Sequence, residues 1–110
     1  MAKYKLVVFT KPVPGRDQDY NDWYQNIHLR DLLAIDGFKS AQRFRLKQAV
    51  VPEPPPMPYL AIYEIETNDI DGAIKELIAR AESGRIVVSD ALSSETFCAA
   101  YEEFGPIVKA

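Results

Sequence analysis

Between Phe38 and Lys47 the side chains alternate strictly. FKSAQRFRLK sets Lys39, Ala41, Arg43, Arg45 and Lys47 on one face and Phe38, Ser40, Gln42, Phe44 and Leu46 on the other. A period of two is the geometry of a strand, because successive Cβ atoms point to opposite sides of the pleat. Three further segments read as strands: KYKLVVFT at 3–10, closed by the prolines and glycine of KPVPG, then YLAIYEIE at 59–66 and TFCAAYEEF at 96–104. Helical spacing takes over after Asp17, a suitable N-cap, with Tyr20, Trp23, Tyr24 and Ile27 on one side. RDLLAIDG adds a further helical turn or two, with Asp31 placed to cap a restart and Gly37 to end it. A second helix carries an apolar stripe of Ile70, Ile74, Leu77, Ile78 and Ala81, with Thr67, Asn68 or Asp69 as its cap and Gly84 just past its end. The proline-crowded AVVPEPPPMP (49–58) is too stiff and too poor in donors for a sheet and reads as an extended loop. IVVSDALSS reads either as a short strand or as a connecting turn with helical character.

The element order is β-α-β-β-α-β, which predicts one ferredoxin-like α+β domain over residues 1–110: a four-stranded antiparallel sheet with two helices on one face. Two helices cover one side of such a sheet, so the other side should be polar if it meets water. It is not. Strand one divides Tyr4, Leu6 and Val8 from Val7 and Phe9. Strand three divides Tyr59, Ala61, Tyr63 and Ile65 from Leu60 and Ile62. Exposing several such side chains forgoes hydrophobic stabilisation of about 25 cal/mol per Å². The closed solution is a homodimer with its sheets face to face about a two-fold axis. The basic residues of strand two then form either a solvated edge that discourages strand pairing or an anion-attracting wall beside a pocket.

Charge narrows the partners. A net charge of −3 and a pI near 5.1 give no general attraction to nucleic acid, and no aromatic-rich RNA-binding pattern appears in strands one or three. No apolar run is long enough to span a bilayer. The single cysteine, Cys98, forms no internal disulfide. Its alternating surroundings suggest a buried structural thiol, with the cytoplasm as the default compartment. One histidine without nearby ligands other than Asp31 and Asp36 makes a metal site improbable, and KPVPGRD lacks the spacing of a phosphate loop. No cofactor is expected.

The only Trp and the only His lie five positions apart in NDWYQNIHLRDLLAIDGF. On a regular helix Trp23 and Ile27 sit together, with Tyr24 and His28 one step round at i, i+4. His28 then borders the buried stripe beside Tyr24, with Asp31 three positions on. A histidine titrating near neutrality can act as acid or base, Asp31 can orient it, and a tyrosine hydroxyl can polarise a carbonyl. The competing reading is a structural histidine at a helix end, packed on Tyr24 and bonded to backbone. Trp23 likewise reads as a core or interface anchor as well as a substrate platform, and Asn21 and Asp22 as residues of an exposed first turn.

NDWYQNIHLRDLLAIDGFKSAQRFRL resembles the EthD-like and related families of the dimeric α/β barrel superfamily, in which a helix N-D/E-W-Y/H-x-x-x-H leads through a leucine-rich turn to Pro-Gly-Phe and a strand. The likeness runs from Val8 to Leu46, and the element order extends it over nearly the whole chain. Arg30 and Asp36 stand where relatives usually carry proline, which frees backbone N–H groups around the turn after His28. The resemblance implies a small homodimeric enzyme on an apolar or aromatic molecule held between sheet and helices, by proton transfer or cofactor-free oxidation. His28 would be the acid/base with Asp31 and Tyr24 beside it, and Trp23, Arg43, Arg45 and Tyr63 would contact substrate. The same fold also accommodates a non-catalytic ligand-binding dimer, or a haem protein with His28 as axial ligand.

Overall fold

Four segments pair into one antiparallel sheet in the computed structural model, which describes residues 1–51 and 57–110: β1 (Ala2–Thr10), β2 (Phe38–Arg45), β3 (Tyr59–Thr67) and β4 (Phe97–Glu102). Their order is β2-β3-β1-β4. The two apolar strands therefore lie inside and the basic β2 forms an edge, where charge hinders pairing with another chain. With the helices on one side this is the ferredoxin-like α+β arrangement. Part of the expected proline loop, residues 52–56, lies outside the described residues. Its flanks are drawn together by the Leu46 N–H donating to the Pro58 carbonyl at 2.8 Å.

The register assigns every side chain to a face. Leu6 lies opposite Tyr63 and Ala100, Val8 opposite Ala61 and Cys98, and Ala61 opposite Arg43. Leu6, Ala61, Tyr63 and Ile65 are buried beneath the helices. On the other side Val7, Phe9, Leu60, Ile62, Phe44, Phe97 and Tyr101 line up across the four strands. Phe44, Phe97 and Tyr101 there are 42–55% exposed, so the face opposite the helices is open and apolar. Lys5 and Glu64 make an ion pair at 3.1 Å on that side. The basic residues Arg43 and Arg45 belong to the helix side, not to the open one.

The strict alternation expected of strand two breaks at its start. A register shift between Phe38 and Ser40 pairs Phe38 with Ile65 and Ser40 with Glu64. This bulge turns Phe38 into the core, edge-on to Tyr63 at 6.2 Å, while Phe44 stays on the open side.

The first helical segment is also irregular. α1 (Asp17–Trp23) leads into a π-helical turn at Tyr24–His28 and then α2 (Leu29–Leu33), with no break. Asp31 caps no restart, and Asp17 lies inside the first turn, the Arg16 side chain making no capping bond. The helix passes through Arg30, where a proline would have clashed with the preceding turn. α3 (Ile70–Glu82) follows expectation: the Asp69 carboxylate accepts the Gly72 N–H at 2.9 Å, and Gly84 adopts φ +79° past its end. IVVSDALSS is neither strand nor helix. It crosses as a strap, joined to the chain after β1 by a bridge between Pro12 and Leu92 and by the Val13 N–H donating to the Ala91 carbonyl at 2.7 Å. Cys98, expected to be buried, is exposed on the edge strand β4, although it lies on the helix side opposite Val8 and partial desolvation of its thiol raises its pKa.

Candidate functional site

The π-turn determines where the histidine goes. The Leu29 N–H bonds back to the Tyr24 carbonyl, an i→i+5 contact that admits one residue more than an α-turn. His28, rather than Ile27, therefore comes beneath Trp23. The two rings are 4.6 Å apart and nearly stacked, at 31°. Ile27, placed with Trp23 by the regular wheel, is 44% exposed instead. On its other side His28 meets the Tyr24 ring edge-on at 4.9 Å and 84°. The imidazole is thus wedged between two aromatic rings in mid-helix, not at a helix end.

Burial in an apolar wedge disfavours the charged imidazolium, and desolvation lowers the His28 pKa to about 4 against a weaker upward pull from Asp31. The ring is neutral at neutral pH. Its Nδ1 is buried with no hydrogen-bond partner. Asp31 does not bond it: its carboxylate accepts the Val87 N–H at 3.1 Å, while the Trp23 Nε1–H donates to the Val87 carbonyl at 2.8 Å. One residue of the strap, Val87, is therefore held through both its N–H and its carbonyl, and the second bond holds Trp23 over the histidine.

Beneath His28, Tyr24 of the π-turn and Tyr63 of β3 bring two more polar atoms into the interior. Both hydroxyls are buried and neither has a partner; they influence one another but lie outside hydrogen-bond geometry. Desolvation raises Tyr24 to about 12 and raises Tyr63 further, so both stay protonated. Tyr20, one turn before Tyr24, is by contrast satisfied by Thr10 of β1.

Arg43 lies against the other side of Tyr24. Its guanidinium stands 4.7 Å from the centre of that ring and 5.6 Å from those of Tyr20 and Tyr59, a cation–π contact with three tyrosines. The Asn21 Oδ1 accepts from its Nη2 at 2.7 Å, and the Asn21 amide donates to Tyr59 Oη at 3.2 Å and to the Asp17 carbonyl at 2.9 Å. Asn21 is therefore a holder of Arg43, not only a first-turn residue. Beside this cluster a groove of about 280 Å³ opens at the sheet edge, lined by Asn21, Gln25, Arg43, Phe44, Arg45 and Tyr59.

Of the residues singled out by sequence, Trp23, Tyr24, His28, Tyr63 and Arg43 come together; Arg45 stands at the groove mouth, and Asp31 faces the strap. Tyr20, Tyr59, Asn21 and Gln25 were not anticipated. Tyr59 stands four residues before Tyr63 on one face of β3, and Tyr20 four before Tyr24, spacings that could have marked both. Among the described residues no three His, Cys, Asp or Glu side chains gather as a metal site requires, and no helix is long and apolar enough to cross a membrane.

No protein-family profile matches the chain, and no curated protein matches its sequence significantly. Solved structures share its fold. An EthD family protein from Bacillus halodurans superposes with a TM-score of 0.56 at 16% identity, over 94% of this chain and all of its own. A protein from Bordetella bronchiseptica, provisionally assigned as an antibiotic biosynthesis monooxygenase, gives 0.65 at 12% identity over 94% and 99%. A Streptomyces coelicolor monooxygenase solved with nanaomycin D gives 0.54 at 11% identity over 99% and 93%. At 16% identity or less the likeness is one of fold, the ferredoxin-like α+β arrangement described above.

Two measurements check this geometry. As the only histidine, His28 gives one imidazole resonance, expected to titrate near pH 4 with Trp23 fluorescence changing in step. The unfolded chain, with an ordinary pKa near 6.5, takes up the proton first. The stabilisation is therefore complete above about pH 6.5 and falls as pH drops toward 4, by about 3 kcal/mol in all. His28→Gln should remove that part of the urea-midpoint slope; a resonance titrating at 6.5 would refute the burial. Second, Tyr63→Phe removes an unpartnered hydroxyl and should change stability by less than about 1 kcal/mol or raise it, whereas Tyr20→Phe breaks a buried bond and should cost about 1 kcal/mol.

Proposed function

We propose that this chain is a cytoplasmic homodimeric enzyme that withdraws a proton from a small aromatic or apolar substrate, with His28 as the base. The observation that carries the reading is the set of three buried, unpartnered polar atoms: His28 Nδ1 and the hydroxyls of Tyr24 and Tyr63. Each such group costs about 1–3 kcal/mol if left unsatisfied, so unsatisfied groups on the neighbouring side chains His28, Tyr24 and Tyr63 are suited to a ligand that completes them.

Their chemistry is complementary. A neutral imidazole in its Nε2–H tautomer offers a lone pair at Nδ1 to an acidic O–H or C–H. Two phenols held protonated offer O–H donors to the oxyanion that remains. A base this weak calls for an acidic substrate, such as a phenol, a hydroquinone or a carbon acid beside a carbonyl, whose anion stays next to the imidazolium. Such an anion is electron-rich, and the monooxygenase descriptions of the fold's neighbours favour dioxygen as the reagent it would meet. Asp31 acts indirectly, by fixing the strap that backs Trp23.

The second copy covers the open sheet face. The apolar row from Phe44 across Leu60, Phe9 and Phe97 gives two sheets a self-complementary surface. Sedimentation velocity at micromolar concentration should find a dimer that Phe97→Asp converts to a folded monomer; a monomeric unmodified chain rejects the pairing.

For turnover, a panel of phenols, hydroquinones and 1,3-dicarbonyl compounds would be followed by oxygen uptake and by deuterium exchange from heavy water. His28→Gln is expected to lower the rate at least about a hundredfold, the usual share of a general base, with fold and dimer retained. A folded variant as active as the parent would reject His28 as the base.

A further inference from the structure

We infer that the groove beside Arg43 is an anion subsite, and that the substrate carries a carboxylate bound between Arg43 and Arg45 while its ring rests against Tyr59. The inference deepens the proposed function and rests on it for the identification of the occupant as a substrate.

The argument begins with the charges. The chain is acidic overall, with 16 acidic against 13 basic side chains, yet Asn21, Gln25, Arg43, Phe44, Arg45 and Tyr59 bring two cations and no carboxylate to one groove. Elsewhere Arg16 is paired with Asp19 and Asp90, and Lys11 with Glu95. Among the described residues neither Arg43 nor Arg45 has an acidic partner. Arg43 is half-buried, and among the described residues its cation meets ring faces and the Asn21 oxygens. A partly desolvated guanidinium without a counter-charge is favourable only if a neighbour or ligand provides one.

The arginine is also held ready. Asn21 fixes its Nη2 and is itself fixed by Tyr59 and the Asp17 carbonyl, so the fork does not have to be ordered when a ligand arrives. A planar fork suits a planar carboxylate, which it can meet with two parallel N–H donors. Arg45, two residues on along the same face of β2, supplies the second cation. The flanking Tyr59 ring favours an aryl acid over a small inorganic ion. The Arg43 guanidinium at the groove stands 4.7 Å from the centre of the Tyr24 ring, which in turn meets His28 at 4.9 Å, so one tyrosine connects the groove with the histidine.

The test uses isothermal titration calorimetry on the full chain with 1-naphthoate, its neutral counterpart 1-naphthamide, and 1-naphthyl phosphate. Naphthoate should bind at least tenfold tighter than the amide, and the difference should shrink with added salt. Arg45→Gln, at an exposed position, should fold normally and lose most of that preference. Arg43→Lys should lose it as well, because an ammonium cannot make the paired contact. His28→Gln should keep the preference in full even where turnover is gone, which separates failure of the subsite from failure of the base. Tighter binding of the phosphate that depends on the same arginines supports the subsite with a phosphate ester as its occupant. Equal affinity for naphthoate and naphthamide, no binding of any of the three, or a preference that survives both arginine substitutions overturns it.

Discussion

An uncharged imidazole pressed between Trp23 and Tyr24 is the contact on which the interior of this protein turns. It requires a helix that widens by one residue, an indole held in place from above, and a tyrosine supported from below. The strap over Trp23, the sheet under Tyr24 and the guanidinium on Tyr24's outer face are successive layers around that one ring. Because charging the imidazole is penalised by the same packing that positions it, the electrostatic state of the site and its shape are set together.

The sheet divides two tasks between its faces. On the helix side β2 and β3 present Arg43, Tyr59 and Tyr63 to the helical residues, so the polar chemistry is gathered where side chains from distant parts of the chain converge. On the open side the same strands present Phe44, Leu60 and Ile62. The edge strand β2 thus joins the groove at Arg43 to the apolar surface at Phe44, the two roles falling on consecutive residues.

Much of this organisation could be read in the sequence. The four strands, the second helix with its Asp69 cap and Gly84 terminus, and the apolar character of both sheet faces follow from periodicity and turn chemistry. Two slips in period could not be anticipated by counting. The bulge at Phe38–Ser40 interrupts an alternation that looks perfect in sequence, because FKSAQ alternates equally well with Phe38 on either face. The π-turn interrupts the first helix, and Ile27 fills the expected apolar position so well that the regular wheel accepts it. The observed stripe passes instead from Tyr20, Trp23 and Tyr24 to His28, Leu29 and Leu32, a jump of five between Tyr24 and Leu29. His28 and Tyr24 were therefore identified as neighbours, but the stacking on Trp23 was not. Asp31 was assigned to the histidine because it is near in sequence, while its actual partner, the Val87 N–H, is 56 residues away and leaves no local signal.

The widened turn also bears on ancestry. An extra residue inside a helix normally rotates everything after it by about 100°, but here the excess is absorbed where it occurs, and the helical segments on both sides keep contact with the core. A chain lacking one residue between Tyr24 and His28 could bring the same imidazole under the same indole on an ordinary helix. Aligning such a chain with this one needs a gap in the middle of a helix, a place where alignments are usually kept intact, and without that gap the wrong residue is matched to His28. Kinship in three dimensions can thus outlast its trace in the letters.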